Sequence, residues 1–332
     1  MNSLLIVHQG AIGDFVLSLP ALEALHRWNL RARFTFLAYP KTAEIIRARP
    51  YVGNVYDVSR RSWTPLHQPE GGLAPADLES LPPVDLIFVF GRYSSQIVAD
   101  NLAAHLGKSA HRIDPFPEPD LSLGISEYQC RQLEDLGILA LPPPPAVIAP
   151  LRHDILAADA FVHQQLAPGE RLVLLHPGSG GQEKLWAPAG WLSLIRKLIS
   201  YPNLRLVLLQ GPADVDIIQR LRSELTTKAL TIVENWPLGR LAALIRHAAL
   251  YLGNDSGITH LAAACSTPTI AIFGPTDPTI WAPRGPRVRI ICWKPRDSGT
   301  GLPLGSQTIC PPPPEAALVW QQASEWLRME NV

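Results

Sequence analysis

The chain has little charge and little cysteine for its length. Lys, Arg, Asp and Glu make up 17% of its 332 residues, against roughly 25% in ordinary globular proteins. The formal net charge is zero. No block of Lys or Arg occurs and bases do not interleave with aromatics, so the electrostatic footprint of a nucleic-acid binder is missing. The four cysteines, Cys130, Cys265, Cys292 and Cys310, are widely separated and form no C-x-x-C pair. That argues against a metal site or a disulfide framework and fits thiols of a reducing compartment. No segment approaches the roughly 18 apolar residues of a membrane span, and the opening MNSLLIVHQG lacks a basic n-region. The expectation is a cytoplasmic protein that could meet a membrane surface only through a local patch.

Apolar sequence is not scarce: the hydrophobic fraction is 47%. It falls in short runs separated by Gly and Pro turns. Leu4–His8, Arg33–Ala38, Asn54–Val58 and Val84–Phe90 read as strands, the continuous runs among them as strands covered on both faces. Helices are predicted over Phe15–Trp28, with Pro20 as a kink or a restart capped by Ser18, and over Lys41–Arg49, Ser94–Leu106 and Ser126–Leu136. The Pro- and Gly-rich stretch Ser59–Pro83 interrupts them and is too long for an ordinary connection. Pro142–Pro145 forces an extended linker. Beyond it the grammar repeats, with strands at Arg171–His176, Leu204–Gln210, Leu230–Val233, Ala249–Leu252 and Thr269–Phe273. Helices are predicted between them at Pro188–Ile199, Ala213–Leu225, Leu238–His247 and Gly257–Cys265. A helix over about Asp154–Leu166 precedes this set, and an amphipathic helix through Trp320 and Trp326 follows a second proline run, Pro311–Pro314. Strands alternating with helices imply parallel sheets, and the length implies two domains. In such sheets ligands bind outside the carboxyl ends of the strands.

The residues with chemistry sit at those ends. In Y-L-G-N-D-S-G-I-T-H (Tyr251–His260), Gly253 and Gly257 let the backbone turn so that the amides of Asp255, Ser256 and Gly257 face outward at the positive end of a helix, a ready phosphate site. The turn alone reads equally well as a capped helix start with His260 as a bystander. A second anion-friendly turn, H-P-G-S-G-G-Q-E-K-L-W (His176–Trp186), favours the first reading. There Lys184 adds a mobile positive charge to the amides around Ser179, Gly180 and Gly181. Asp214, after Gly211-Pro212, stands where an acid can accept both hydroxyls of a ribose, or where an acid simply favours a helix start. Asp214 and Asp216 also spell D-x-D, but residues two apart on a helix do not face one site. Asp14 follows a glycine turn at the first strand end, and on its own reads as a helix cap.

The motifs G-A-I-G-D-x-V-L-x-x-P-A-L (Gly10–Leu22), H-P-G-S-G-G-x-x-K-x-W, G-P-A-D (Gly211–Asp214), G-N-D-S-G-x-x-H-L-A-A (Gly253–Ala263) and F-G-P-T-D-P (Phe273–Pro278) together resemble glycosyltransferase family 9, the lipopolysaccharide heptosyltransferases. The resemblance implies an α/β GT-B fold: two Rossmann-like, doubly wound parallel-sheet domains facing a central cleft. Residues 1–150 would bind the acceptor and 151–313 the nucleotide-sugar donor, with a helix over 314–332 packing back on the first domain. It implies an inverting, metal-independent transfer of heptose from ADP-heptose to a lipopolysaccharide core or related surface glycan, with no cofactor. The implied location is cytoplasmic, with a peripheral contact at the inner membrane face.

By position, the family's catalytic aspartate falls on Asp14, beside Gly13, and its catalytic lysine on Lys184. Its substrate contacts fall on Ser179, Gly180, Gly181, Asp214, Asp255, Ser256, Gly257 and His260. Two departures bear on the donor. Inner-core heptosyltransferases resemble H-A-T-T where this chain has a glycine loop, and Asp214 stands where glutamate is common. The alternatives are a related enzyme using another nucleotide sugar, an epimerase or hydrolase on the same scaffold, or a nucleotide-sugar-binding protein without turnover. For an anionic acceptor only Lys41, Arg60, Arg61 and Arg92 offer scattered positive charge.

Overall fold

The computed structural model describes residues 2–69, 78–118, 121–225, 230–293, 307–309 and 315–329. Cys310 and the second proline run lie outside the described residues. The chain divides into two compact units, Met1–Pro145 and Ala146–Val332, so the boundary falls at the end of the first proline run.

In the first unit, β1 (Ser3–His8), α1 (Ile12–Trp28), β2 (Arg33–Ala38), the short α2 (Pro40–Ala43), β3 (Val52–Asp57), β4 (Leu86–Phe90), α3 (Gln96–Leu106), β5 (Ala110–Ile113) and α4 (Ile125–Asp135) follow in order. The sheet order is β3-β2-β1-β4-β5 and every pairing is parallel. Leu4, Leu5 and Ile6 are wholly buried because helices cover both faces. Leu5 and Val7 share a core with Val98, Ala99 and Leu102 of α3. On the other face Phe15 of α1 lies 6.4 Å, ring to ring, from Phe36.

Three local differences from the sequence reading have physical causes. α1 runs unbroken through Pro20, and Ser18, rather than capping a restart, donates its hydroxyl to the Asp14 carbonyl at 2.9 Å. The helix predicted over Lys41–Arg49 ends at Ala43 and continues only as a 3-10 turn, Glu44–Ile46. Pro50 biases Arg49 away from the helical region, and Arg49 instead pairs with Glu23 and the Tyr51 hydroxyl, both at 3.0 Å. Within Ser59–Pro83, Arg61–His67 forms a 3-10 helix that buries Trp63 and Leu66 beside Val58 and Val84. Residues 70–77 of that stretch are outside the described set.

The second unit comprises α5 (Arg152–Gln165), β6 (Arg171–His176), α6 (Pro188–Ile199), β7 (Leu204–Gln210), α7 (Val215–Glu224), β8 (Leu230–Glu234), α8 (Leu238–Arg246), β9 (Ala248–Asn254), α9 (Gly257–Ala264), β10 (Thr269–Phe273), α10 (Pro278–Trp281), β11 (Val288–Cys292), β12 (Gln307–Ile309) and α11 (Ala316–Met329). Its sheet order is β12-β11-β10-β9-β6-β7-β8, again all parallel. Read from its first strand, this sheet repeats the winding of the first: two strands added on one side, then a switch to the other. β6 is therefore flanked by β7 and β9, and the loops after all three strands emerge together.

The final helix corrects the expectation that it returns to the first domain. Val319, Ala323 and Leu327, spaced four apart on one face, are buried in the core formed by Trp191, Leu194 and Leu198, the pattern of an amphipathic helix covering a sheet layer. Arg171 of β6 donates to the Leu327 carbonyl at 2.7 Å. Arg289 of β11 donates to Gln322 and Glu325, each at 2.8 Å, and stacks over the Trp326 ring at 4.9 Å. Apolar face and polar contacts alike belong to the second unit.

Candidate functional site

The two predicted anion turns of the second unit are fastened to each other. Asn254, the last residue of β9, is wholly buried. Its side-chain amide donates to the Pro177 carbonyl at 2.7 Å and its Oδ1 accepts from the Trp186 amide at 3.2 Å. One side chain thus brackets the whole 177–186 loop. Ser179 adds a third link by donating its hydroxyl to the Asp255 carbonyl at 2.6 Å. Behind them, Ser256 is the N-cap of α9 and its Oγ accepts from the Thr259 amide at 3.4 Å. Gly257 and Ile258 head the helix, where first-turn amides have no intrahelical acceptor and the helix dipole is positive.

Charge is concentrated at this head. The Lys184 ammonium lies 2.9 Å from Oδ2 of Asp255. At that distance the contact is a salt bridge that fastens the ammonium to the carboxylate. Asp255 is buried and Lys184 is partly exposed, its side chain retaining 31% of its accessibility. His260, one turn into α9, is also buried, and its Nδ1 has no partner among the described residues. Burial lowers its pKa to about 4, against a raising effect from Asp255 and with a further lowering from Lys184. A neutral imidazole with an unsatisfied nitrogen, an ammonium and the head of a helix therefore sit together, which suits an anion with several oxygens.

Asp214 is arranged differently from the ribose contact expected of it. It is buried, at 5% exposure, and Oδ2 accepts from the Gly211 amide at 2.7 Å and pairs with Nε2 of His176 at 3.1 Å. The other oxygen lies against Gly178, where a Cβ would collide with it. Burial alone would raise the Asp214 pKa; the hydrogen bond and electrostatic attraction of the His176 ring, with the Gly211 amide, outweigh it and hold the carboxyl below its usual value. Asp216 points to solvent from the first turn of α7, so the D-x-D pair shares no site. Among the described residues no group of three or more His, Cys, Asp or Glu side chains is placed to hold a metal ion.

His176, which the sequence reading left without a role, joins these pieces: its Nδ1 lies 3.1 Å from the Ser256 Oγ. The available signal was a polar residue closing an otherwise apolar strand and preceding a Pro-Gly turn. Of the predicted residues in this unit, Ser179, Lys184, Asp255, Ser256, Gly257 and His260 converge on the head of α9. Gly180 is exposed and Gly181 half-buried in the same loop.

In the first unit the Asp14 carboxylate accepts from the Ala11 amide at 3.0 Å, the reach-back contact of an acid in a helix's first turn. Beneath it lies His8, 2% exposed. Nδ1 of His8 accepts from the Gly10 amide at 3.2 Å and Nε2 pairs with the Ser18 Oγ at 3.1 Å. Burial lowers the His8 pKa to about 3. A Cβ on Gly10 would come within 2.7 Å of both His8 and Asp14, so only glycine fits between them. Gly13 is half-buried in the first turn of α1, and Lys41, Arg60, Arg61 and Arg92 are exposed.

Comparison with known proteins follows the same lines. The family model described as glycosyltransferase family 9 (heptosyltransferase) matches residues 152–300. Lipopolysaccharide heptosyltransferase 3 of Escherichia coli is 32% identical over 118 residues, covering 35% of this chain and 34% of that protein. The chain therefore matches about a third of the length of that curated relative. Among solved structures, the E. coli ADP-heptose lipopolysaccharide heptosyltransferase II superposes with a TM-score of 0.74 over 100% of both chains at 17% identity. The E. coli heptosyltransferase WaaC with ADP does so with a TM-score of 0.64 over 99% of this chain and 100% of that one, at 19% identity. The fold is thus GT-B along the chain, and residues 152–300 match the glycosyltransferase family 9 model.

Proposed function

We propose that the protein is an inverting glycosyltransferase that moves a heptose from ADP-heptose to a hydroxyl of a lipopolysaccharide core or related surface glycan, without a metal ion. The observation that carries this reading is the cluster at the head of α9, where Lys184, the buried His260 and the helix amides converge. It is a site for a diphosphate leaving group: charge grows on the bridging oxygen as the sugar departs, and a fixed ammonium and helix dipole are worth most when that charge is largest. Structural neighbours of this chain were solved with ADP, which supports an adenine nucleotide as the donor carrier.

In this reading the acceptor hydroxyl gives its proton to the Asp14 carboxylate while its oxygen bonds to the anomeric carbon. The bond from that carbon to the diphosphate breaks on the opposite face, and the electron pair passes to the phosphate oxygen. Lys184 and α9 compensate its charge, a task that otherwise falls to a divalent cation. Asp255 holds Lys184 until the diphosphate arrives. Gly13, Gly180 and Gly181 allow backbone to approach the substrates, and Ser179 fixes the loop. The protein would work in the cytoplasm, with a peripheral membrane contact to reach a lipid-linked acceptor. No described helix is long and apolar enough to cross a membrane.

Asp214 is turned toward His176 and Gly211, so the acid expected to hold the ribose is committed elsewhere; because that ribose is common to ADP-, GDP- and UDP-sugars, a donor on another nucleotide is the second reading. A thermal-shift screen of ADP-, GDP- and UDP-sugars tests both, because a ligand at 100 times its dissociation constant stabilises by about 2.7 kcal/mol. Incubation with the donor that binds, with and without acceptor and with EDTA, follows. Sugar transfer that survives EDTA supports the proposal. Donor breakdown without transfer, binding without turnover, or rescue of an EDTA-treated enzyme by magnesium overturns it.

A further inference from the structure

We infer that His176 is a positioning residue for the anion-binding head of α9, fixing the Ser256 cap to the Gly211–Asp214 turn through its two ring nitrogens. The inference rests on the reading above only for its ligand, a nucleoside diphosphate.

The argument starts from topology. β6 is flanked by β7 and β9, so the last residue of β6 lies between the loop carrying Asp214 and the turn carrying Ser256. A side chain there can join them only if it is rigid and bonds at both ends. Imidazole does so, with Nε2 at 3.1 Å from Asp214 Oδ2 and Nδ1 at 3.1 Å from Ser256 Oγ. An ionised carboxylate only accepts, so Nε2 carries the proton and donates. In the neutral ring Nδ1 then accepts the Ser256 hydroxyl proton. That directs a Ser256 lone pair at the Thr259 amide, the contact that caps α9. Asp214 sets the tautomer, the tautomer sets the hydroxyl, and the hydroxyl sets the cap. Gly178 is part of the device, since a Cβ there would displace the Asp214 carboxylate.

The first unit repeats the arrangement independently. His8 also closes the first strand of its sheet and also bonds at both nitrogens, to the Gly10 amide and the Ser18 hydroxyl. Ser18 in turn donates to the Asp14 carbonyl. In both units a buried histidine at the end of the strand where the winding switches sides holds the turn that bears the reactive residues.

The test uses the full chain and ADP as probe. A glutamine at 176 can keep the Asp214 contact of Nε2 while losing the Ser256 contact, and an asparagine the reverse. His176→Gln should weaken ADP binding about tenfold, the effect of one lost hydrogen bond, and should speed hydrogen exchange at the Thr259 and His260 amides but not in β8. Ser256→Ala should do the same. Combined with His176→Gln it should still give about tenfold, because both remove one interaction. A hundredfold additive loss overturns the inference, as does a fall in melting temperature with binding and local exchange unmoved. If His176→Gln does not fold, His176→Asn must lose less ADP affinity than Ser256→Ala; equal losses overturn it. If the wild-type chain does not bind ADP, the donor reading fails, and the exchange rates at Thr259 and His260 alone decide the role of His176.

Discussion

The Nζ of Lys184 stands 2.9 Å from Oδ2 of Asp255, so the lysine proposed to meet the leaving diphosphate is held by a buried carboxylate. An incoming diphosphate must compete with Asp255 for that ammonium. The pairing keeps Lys184 in place without spending its full electrostatic effect on the bound donor. Lys184→Ala is therefore expected to lower turnover roughly 10²–10³-fold, the range for deleting one preorganised donor to developing charge, with kcat and kcat/KM falling together. Steady-state kinetics check it: a rise in KM at constant kcat would mean that Lys184 binds donor and transition state equally.

Asp14→Asn separates a general base from a helix cap. Asparagine caps about as well as aspartate and can still accept from the Ala11 amide, the contact the carboxylate makes at 3.0 Å. Fold and nucleotide affinity should stay near wild type while turnover falls about 10²–10⁴-fold. Turnover within a few-fold of wild type would leave Asp14 a cap only.

Acid should destabilise the protein through its buried histidines. In the folded chain the pKa of His260 is lowered to about 4 and that of His8 to about 3, both mainly by burial. Both lie below the ordinary histidine value of about 6.5, so the unfolded state takes up protons first. Their contribution is complete above about pH 6.5 and is lost as pH falls through that value toward 4, and for His8 toward 3. Between pH 7.5 and 5 His260 alone should account for about 2 kcal/mol. Urea midpoints at the two pH values, for wild type and His260→Asn, measure it; an equal pH dependence in both proteins would refute the assignment.

Leu327→Ala tests where α11 belongs. Leu327 is 1% exposed among Trp191, Leu194 and Leu198, and truncating such a residue costs about 2–5 kcal/mol. The loss should appear in hydrogen exchange of β6 and α6. A variant that loosens only the first unit would contradict the packing described above.

Strand positions were the most legible feature. Arg171–His176, Leu204–Gln210 and Thr269–Phe273 match β6, β7 and β10 residue for residue, because a parallel strand buried on both faces is an uninterrupted apolar run. β5, Ala110–Ile113, has only four residues and no such run, and it was missed. The glycine-rich strand ends announced the head of α9, although Gly253 sits in β9 and Gly257 in α9 without left-handed backbone; at Gly253 the need is space, since a Cβ would crowd the Tyr251 and Thr259 hydroxyls. Direction was not legible: Asp214 follows the same strand-end turn whether its carboxylate faces a ligand or His176, and only the missing Cβ of Gly178 makes room for the second. His176 and His8 lie at strand ends, where neither periodicity nor charge marks them. The apolar stripe of α11 was evident, but a stripe does not say which surface it covers.

The placement of α11 orders events during synthesis. Every described strand of the first unit pairs within residues 3–113, so that half can close while the rest of the chain is still being translated. The second half cannot, because Val319, Ala323 and Leu327 complete the layer over Trp191 and Leu198. Until residues 316–329 emerge, the core beside β6 stays open, with apolar surface of the kind that recruits chaperones or aggregates. A ribosome stalled before residue 316 should thus display a protease-resistant first half and a cleavable second half.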